Sequence, residues 1–196
     1  MKRGTISRRI QYGFTLIELV VVVAIVGILI TIVAPQVIGS KDGANAQLML
    51  KSASSVAGNW SLINQSCGTS TAIASNPIPL AGKTVSDVIF GGSANVAAAY
   101  ANCYAQAKVM ALTEISQPSG SAGVYNIAGY GVTLAGGGTA PLQIGYLLVP
   151  DNLTLLLAQK YNPSLSTLAA SDTASTVVQY STVSSGTRTV TVFKQI

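Results

Sequence analysis

Few residues in this 196-residue chain could do chemistry. There is no histidine, which removes the commonest general base and the commonest zinc ligand. Cys67 and Cys103 admit two readings. They are a disulfide if that part of the chain reaches an oxidising compartment, or two buried free thiols. Asp87, Glu114, Asp151 and Asp172 are scattered acids. Without histidine, a catalytic dyad would need lysine or paired carboxylates, and no spacing offers either. Each acid is expected to be solvated surface charge. Gly91-Gly92 and Gly136-Gly137-Gly138 lack the lysine and the strand–helix setting of a phosphate loop, so turns are expected. No enzyme, metal or cofactor is predicted. The acid that stands out is Glu18, inside a long apolar run.

The formal charge of +5 suggests an acidic partner until its distribution is considered. Lys2, Arg3, Arg8 and Arg9 lie within the first 13 residues, which contain no acid. The other 183 residues carry seven basic against six acidic side chains, a net of +1. Lys83, Lys108, Lys160, Arg188 and Lys194 could gather in space to touch DNA, but a nearly neutral body has no footprint for a phosphate backbone. Nucleic acid is therefore not an expected partner. Basic residues just before an apolar helix hold the N-terminus in the cytoplasm.

From Phe14 to Ala34 only Thr15, Glu18, Gly27 and Thr31 interrupt the apolar run. As a helix it would rise about 31 Å, the thickness of a bilayer core. Gly13 before Phe14, Glu18 within the run and Pro35 at its end need a joint explanation, since a bare anchor requires none of them. A carboxylate in a membrane helix is costly without a partner, though the first helical turn favours it through the helix dipole. The basic leader could supply that partner. If the leader is removed after Gly13, the new amino group of Phe14 could do so instead. Two identical chains offset along their axes could then pair Glu18 of one with the Phe14 amine of the next, setting the register of assembly.

Beyond Pro35 the helical spacing resumes. Met49, Ala53, Val56, Trp60 and Ile63 form one apolar stripe, while Lys41, Asn45, Lys51, Ser55 and Asn59 supply the polar remainder. One long interrupted helix is predicted over about 14–64, broken near Gly68. Residues 71–83 should be irregular. Thr84-x-x-Asp87 has the form of a capping box, and an Ala-rich helix is expected over 94–114, with Tyr100, Cys103 and Ala107 on one face. Val124 to Leu134 and Gln143 to Val149 read as strands around the glycine cluster. Asp151 should cap a short helix through Tyr161. A hairpin of Thr176 to Val183 and Thr187 to Lys194 turns at Ser184-Ser185-Gly186.

Gly13-Phe14-Thr15-Leu16-Ile17-Glu18 resembles the class III signal of type IV prepilins and related pseudopilins. The resemblance covers residues 13–35 and is specific in combination. It implies that a membrane-embedded prepilin peptidase cuts between Gly13 and Phe14 and N-methylates Phe14, and it matches Glu18 to the family's assembly glutamate. Gly27 and Pro35 match positions between which the family's helix loosens when subunits pack. The implied fold is pilin-like α+β, a long N-terminal helix packed on an antiparallel sheet. The expected divisions are a leader over 1–13, a helix over 14–64 with 14–34 transmembrane, and a head over 65–196.

The expected function is a structural subunit of a type IV pilus, held in the inner membrane as a precursor and then polymerised with itself on the bacterial surface. An assembly ATPase and a platform protein are implied by resemblance alone. A pseudopilin of a type II secretion machine is the alternative within the family, although a shorter, more charged head with a calcium-binding loop would be expected of a major one. A membrane-tethered binding module that never polymerises is the alternative outside it. A plain signal-anchor leaves Glu18 and the Gly13-Phe14 junction unexplained. A cleaved secretory signal would have a shorter apolar core and an A-x-A-like exit.

Overall fold

The computed structural model describes residues 15–117 and 123–196, with the backbone alone described for 31–40. The chain divides into two compact units, the first ending at Ser40 and the second running Lys41–Ile196. Helix α1 spans Leu16–Cys67. Its backbone is helical through Gly27 and Pro35, so the interruption expected at the proline is absent from this single subunit. Proline there still removes one i→i−4 hydrogen bond.

Within the second unit α1 folds as its periodicity requires. Met49, Ala53, Val56, Trp60 and Ile63 are all fully buried, and burial of each large side chain contributes about 1.5–3 kcal/mol. Trp60 satisfies its indole N–H on the Thr71 carbonyl at 2.7 Å. Asn59 departs from the expected polar face. It is buried, donating to the Met110 carbonyl at 2.8 Å and accepting from the Met110 N–H at 3.0 Å. A single amide thus satisfies both backbone groups of a residue in irregular chain. The helix outlasts its expected end at 64 by one turn and stops before Gly68, whose φ is +64°.

Thr84 caps α2 (Val85–Gly91) with both halves of the capping box formed. The Ala-rich helix expected over 94–114 is much shorter. Two single 3₁₀ turns, Ser93–Asn95 and Ala98–Tyr100, precede α3 (Ala101–Gln106). Lys108 then takes a φ of +46°, which an α-helix cannot accommodate. Tyr100, Cys103 and Ala107 are partly buried as one face, with Tyr100 and Ala107 against the core, and Tyr104 beside them is buried.

Among the described residues six antiparallel strands follow: β1 (Ile115–Ser116), β2 (Asn126–Ile127), β3 (Tyr130–Gly136), β4 (Leu142–Pro150), β5 (Val178–Tyr180) and β6 (Thr187–Lys194). Their order is β1-β2-β3-β4-β6-β5. The strand expected over 124–134 is two strands, because Ala128 and Gly129 both adopt positive φ, +54° and +86°, and turn the chain back on itself. The C-terminal hairpin forms with the expected turn, Ser185 and Gly186 at φ +52° and +77°, but its first strand is only Val178–Tyr180 where 176–183 was expected. Ile144, Tyr146, Val190, Val192, Val178 and Tyr180 join the α1 stripe in one core, and the Tyr146 hydroxyl donates to the Met49 carbonyl at 2.6 Å. The fold is pilin-like α+β.

Helix α4 (Asp151–Gln159) starts one residue earlier than expected, so Asp151 is its first residue and Pro150 its cap. The Asp151 carboxylate is instead taken by Arg188 Nε at 2.7 Å. Arg188 is buried, donating further to the carbonyls of Ala170 and Ser181 at 2.5 and 2.9 Å and lying over the Tyr180 ring. It is therefore no part of a basic surface. It fastens the long α4–β5 connection to the sheet.

Candidate assembly site on the N-terminal helix

The first turn of α1 is closed by its own side chains. Glu18 accepts the Thr15 backbone N–H at 2.9 Å and the Thr15 hydroxyl at 2.8 Å, while Thr15 Oγ1 accepts the Glu18 N–H at 3.3 Å. This is a capping box, Thr at the cap and Glu three residues on. The spacing Thr15-x-x-Glu18 repeats that of Thr84-x-x-Asp87. In the lone subunit, then, Glu18 has a local partner contributed by neither the leader nor another chain.

Past this turn the helix carries apolar side chains on every face. Leu16, Ile17, Leu19, Val20 to Val23, Ile25, Val26 and Ile28 to Ile30 are all exposed, from 81% at Leu16 to 45% at Val26. A helix apolar all round requires cover, either lipid or other helices. Gly27 leaves open space at the position a Cβ would fill. Among the described residues no helix is long and apolar enough to cross a membrane. Side chains of this run are described only from 15 to 30, which rise about 24 Å, short of the roughly 30 Å of a bilayer core. Gly13 and Phe14, the expected cleavage and methylation positions, lie outside the described residues, as does the side chain of Pro35.

The other candidate residues sit elsewhere and serve the fold. Cys67, the last residue of α1, is bonded to Cys103 of α3, their Cα atoms 5.0 Å apart. Ser66 Oγ adds a bond to the Cys103 carbonyl at 2.8 Å. Asp87 is not the solvated charge expected of it. It is buried, accepting Thr84 N–H and hydroxyl and the Tyr125 hydroxyl at 2.8, 2.9 and 2.9 Å. Burial opposes its charge, but these donors and Lys83 outweigh it and hold the carboxyl below the usual range. Burial and the neighbouring carboxylate push Tyr125 up to about 12. Glu114 meets the exposed Lys51 at 3.6 Å. Asp172 accepts the N–H groups of Ala174 and Ser175, a local turn. Among the described residues no three His, Cys, Asp or Glu side chains gather as a metal site would require.

A comparison with known families falls on the same segment. A family described as the prokaryotic N-terminal methylation motif matches residues 8–34. The type II secretion system core protein G of Klebsiella michiganensis is 50% identical over 40 residues, 20% of this chain and 28% of that protein. The chain therefore spans little more than a quarter of the curated relative it matches. No solved structure matches it significantly.

Proposed function

We propose, for a chain that carries the class III signal of prepilin-like proteins, that it is a structural subunit of a type IV pilus and performs no catalysis of its own. The observation that carries this reading is a carboxylate in the first turn of a helix that is otherwise apolar and bare on every side. On this reading prepilin peptidase cuts between Gly13 and Phe14 and methylates Phe14. The helix holds the subunit in the inner membrane with its head outside the cytoplasm. The helices then leave lipid and bundle, with an assembly ATPase and platform protein driving the process.

The capping box gives the exchange a physical form. In the lone subunit Glu18 is satisfied by Thr15, two donors without formal charge. The bonds to Thr15 are already charge-assisted through the carboxylate, but only the cationic amine of a neighbouring Phe14 brings an opposite formal charge to neutralise it. Transfer of Glu18 from its own cap to that amine would therefore favour one axial register. Apolar helices moving from lipid to other helices gain little hydrophobic free energy, so packing and this pair must select the arrangement.

A second reading, a pseudopilin, is favoured by a 40-residue likeness to a type II secretion core protein. Against it stands the lack of a gathered acidic cluster among the described residues of the head. To test between them, express the chain at native level with its export machinery and label intact cells with an antibody to the head. Long surface filaments that carry this chain support the pilus reading. Label seen only after the outer envelope is opened supports the pseudopilin, and no polymer in either compartment defeats both.

A further inference from the structure

The central strand β4 contains a feature that neither the fold nor the N-terminal site explains. Its inward alternation runs Leu142, Ile144, Tyr146 and then skips to Val149. Tyr146 pairs with Val190 and Val149 with Arg188, so β4 holds one residue more than β6 across this interval. That is a β-bulge. It puts Leu147 and Leu148 side by side on the surface, 38% and 73% exposed. Leu148 also has a φ of +58°, a left-handed conformation that is unfavourable for a side chain branched at γ and readily adopted by glycine. The position thus combines backbone strain with the exposure of a large apolar side chain. Neither is needed to close the sheet, since Gly or Asn at 148 would make the same bulge with less strain.

We infer that the Leu147–Leu148 bulge is a contact surface for a second copy of this chain in the polymer, an inference that rests on the filament reading above. Two leucines are far too small to hold an independent partner, which needs on the order of 800 Å² per side. They suit a contact whose proximity is supplied elsewhere, as bundled helices supply it. Their place along α1 fits too. Tyr146 reaches Met49, and Asn152 at the start of α4 bonds Asp42. The bulge therefore sits at the level where the chain enters this unit. A polymer requires a heterologous contact, since two identical patches facing each other would close a dimer. The surface met on the second copy is then a different one. Leu62 on α1 and Met110, whose backbone is held by Asn59, are exposed apolar side chains, about 15 helical residues further along, or roughly 20 Å. A copy displaced by that step brings its Leu62–Met110 surface to the bulge of the first.

The full chain with its export machinery is the material for the test. A photo-crosslinking residue at position 148 should yield a product of twice the subunit mass, whose joined peptide contains Leu62 or Met110. Crosslinks to lipid, to a different polypeptide or to any other part of this chain would overturn the inference. Leu148→Gly separates contact from fold. In detergent the variant subunit should melt at the same temperature as the native one or higher, while its filaments fall at least several-fold in yield or in resistance to shear. A lower melting temperature with normal filaments would make Leu148 a structural residue and end the proposal. Native chains that form no filaments would defeat the underlying reading and the contact together, whereas native-like filaments from Leu148→Gly would defeat the contact alone.

Discussion

Three carboxylates illustrate how the same side chain takes different work from its surroundings. Glu18 closes the first turn of an exposed helix, Asp87 is buried in a cap, and Asp151 lies half-exposed against a buried guanidinium. Glu18→Ala is expected to leave cleavage intact and abolish filaments, read by the mature mass and by electron microscopy. Gly13→Ala should block processing, so that the chain keeps its precursor mass. Asp87 makes a pH prediction. Its folded pKa is lowered, so its stabilisation is full above the ordinary carboxylate value near 3.9 and is lost as pH falls through the folded value. Asp87→Asn should cost roughly 1–2 kcal/mol at neutral pH and should flatten the loss of stability below about pH 4, measured by denaturant melts. At the alkaline end Tyr125, held neutral to about 12, contributes stability below pH 10 that is lost as pH rises toward its folded value.

Among the elements, those written in local chemistry were legible and those decided by long-range packing were not. The α1 stripe followed from a period of three and four, the Thr84 cap from its spacing, and the Ser184-Ser185-Gly186 turn from its composition. All three depend on residues a few positions apart. The Ala-rich stretch after Val96 failed because alanine favours a helix without requiring one. The disulfide at Cys103 and the Asn59 bonds to Met110 tie this stretch to α1 at two points, and the helix ends between them, at Gln106. Arg188 likewise takes its place from long-range packing, since its partners lie 7, 18 and 37 residues away. Arg188→Ala should therefore loosen the α4–β5 connection, leaving two carbonyls without a donor, at roughly 2–3 kcal/mol. Limited proteolysis within 160–177 would detect it. Replacing Cys67 and Cys103 by serine should cost about 4 kcal/mol in the chain-entropy account, seen as a fall in melting temperature of the purified subunit. Trp60→Ala, which empties the centre of the core, should cost about 3–5 kcal/mol.

For the whole molecule, the candidate site was legible in position and only partly in chemistry. An acid within an apolar run announces that something must neutralise it, and the junction Gly13-Phe14 suggests what. Thr15 satisfies the hydrogen bonding of Glu18 in the lone subunit but supplies no counter-ion for its charge. On the proposed reading, assembly is an exchange of partners for Glu18, with the apolar flanks of the helix passing from one covering to another. The most direct measurement is the intact mass and N-terminal sequence of this chain in filaments sheared from cells that express it with its export machinery. The account predicts a chain that starts at a methylated Phe14 and lies in polymers that Glu18→Ala cells lack. A chain that keeps its first thirteen residues, or that is shed only as single molecules, would contradict it.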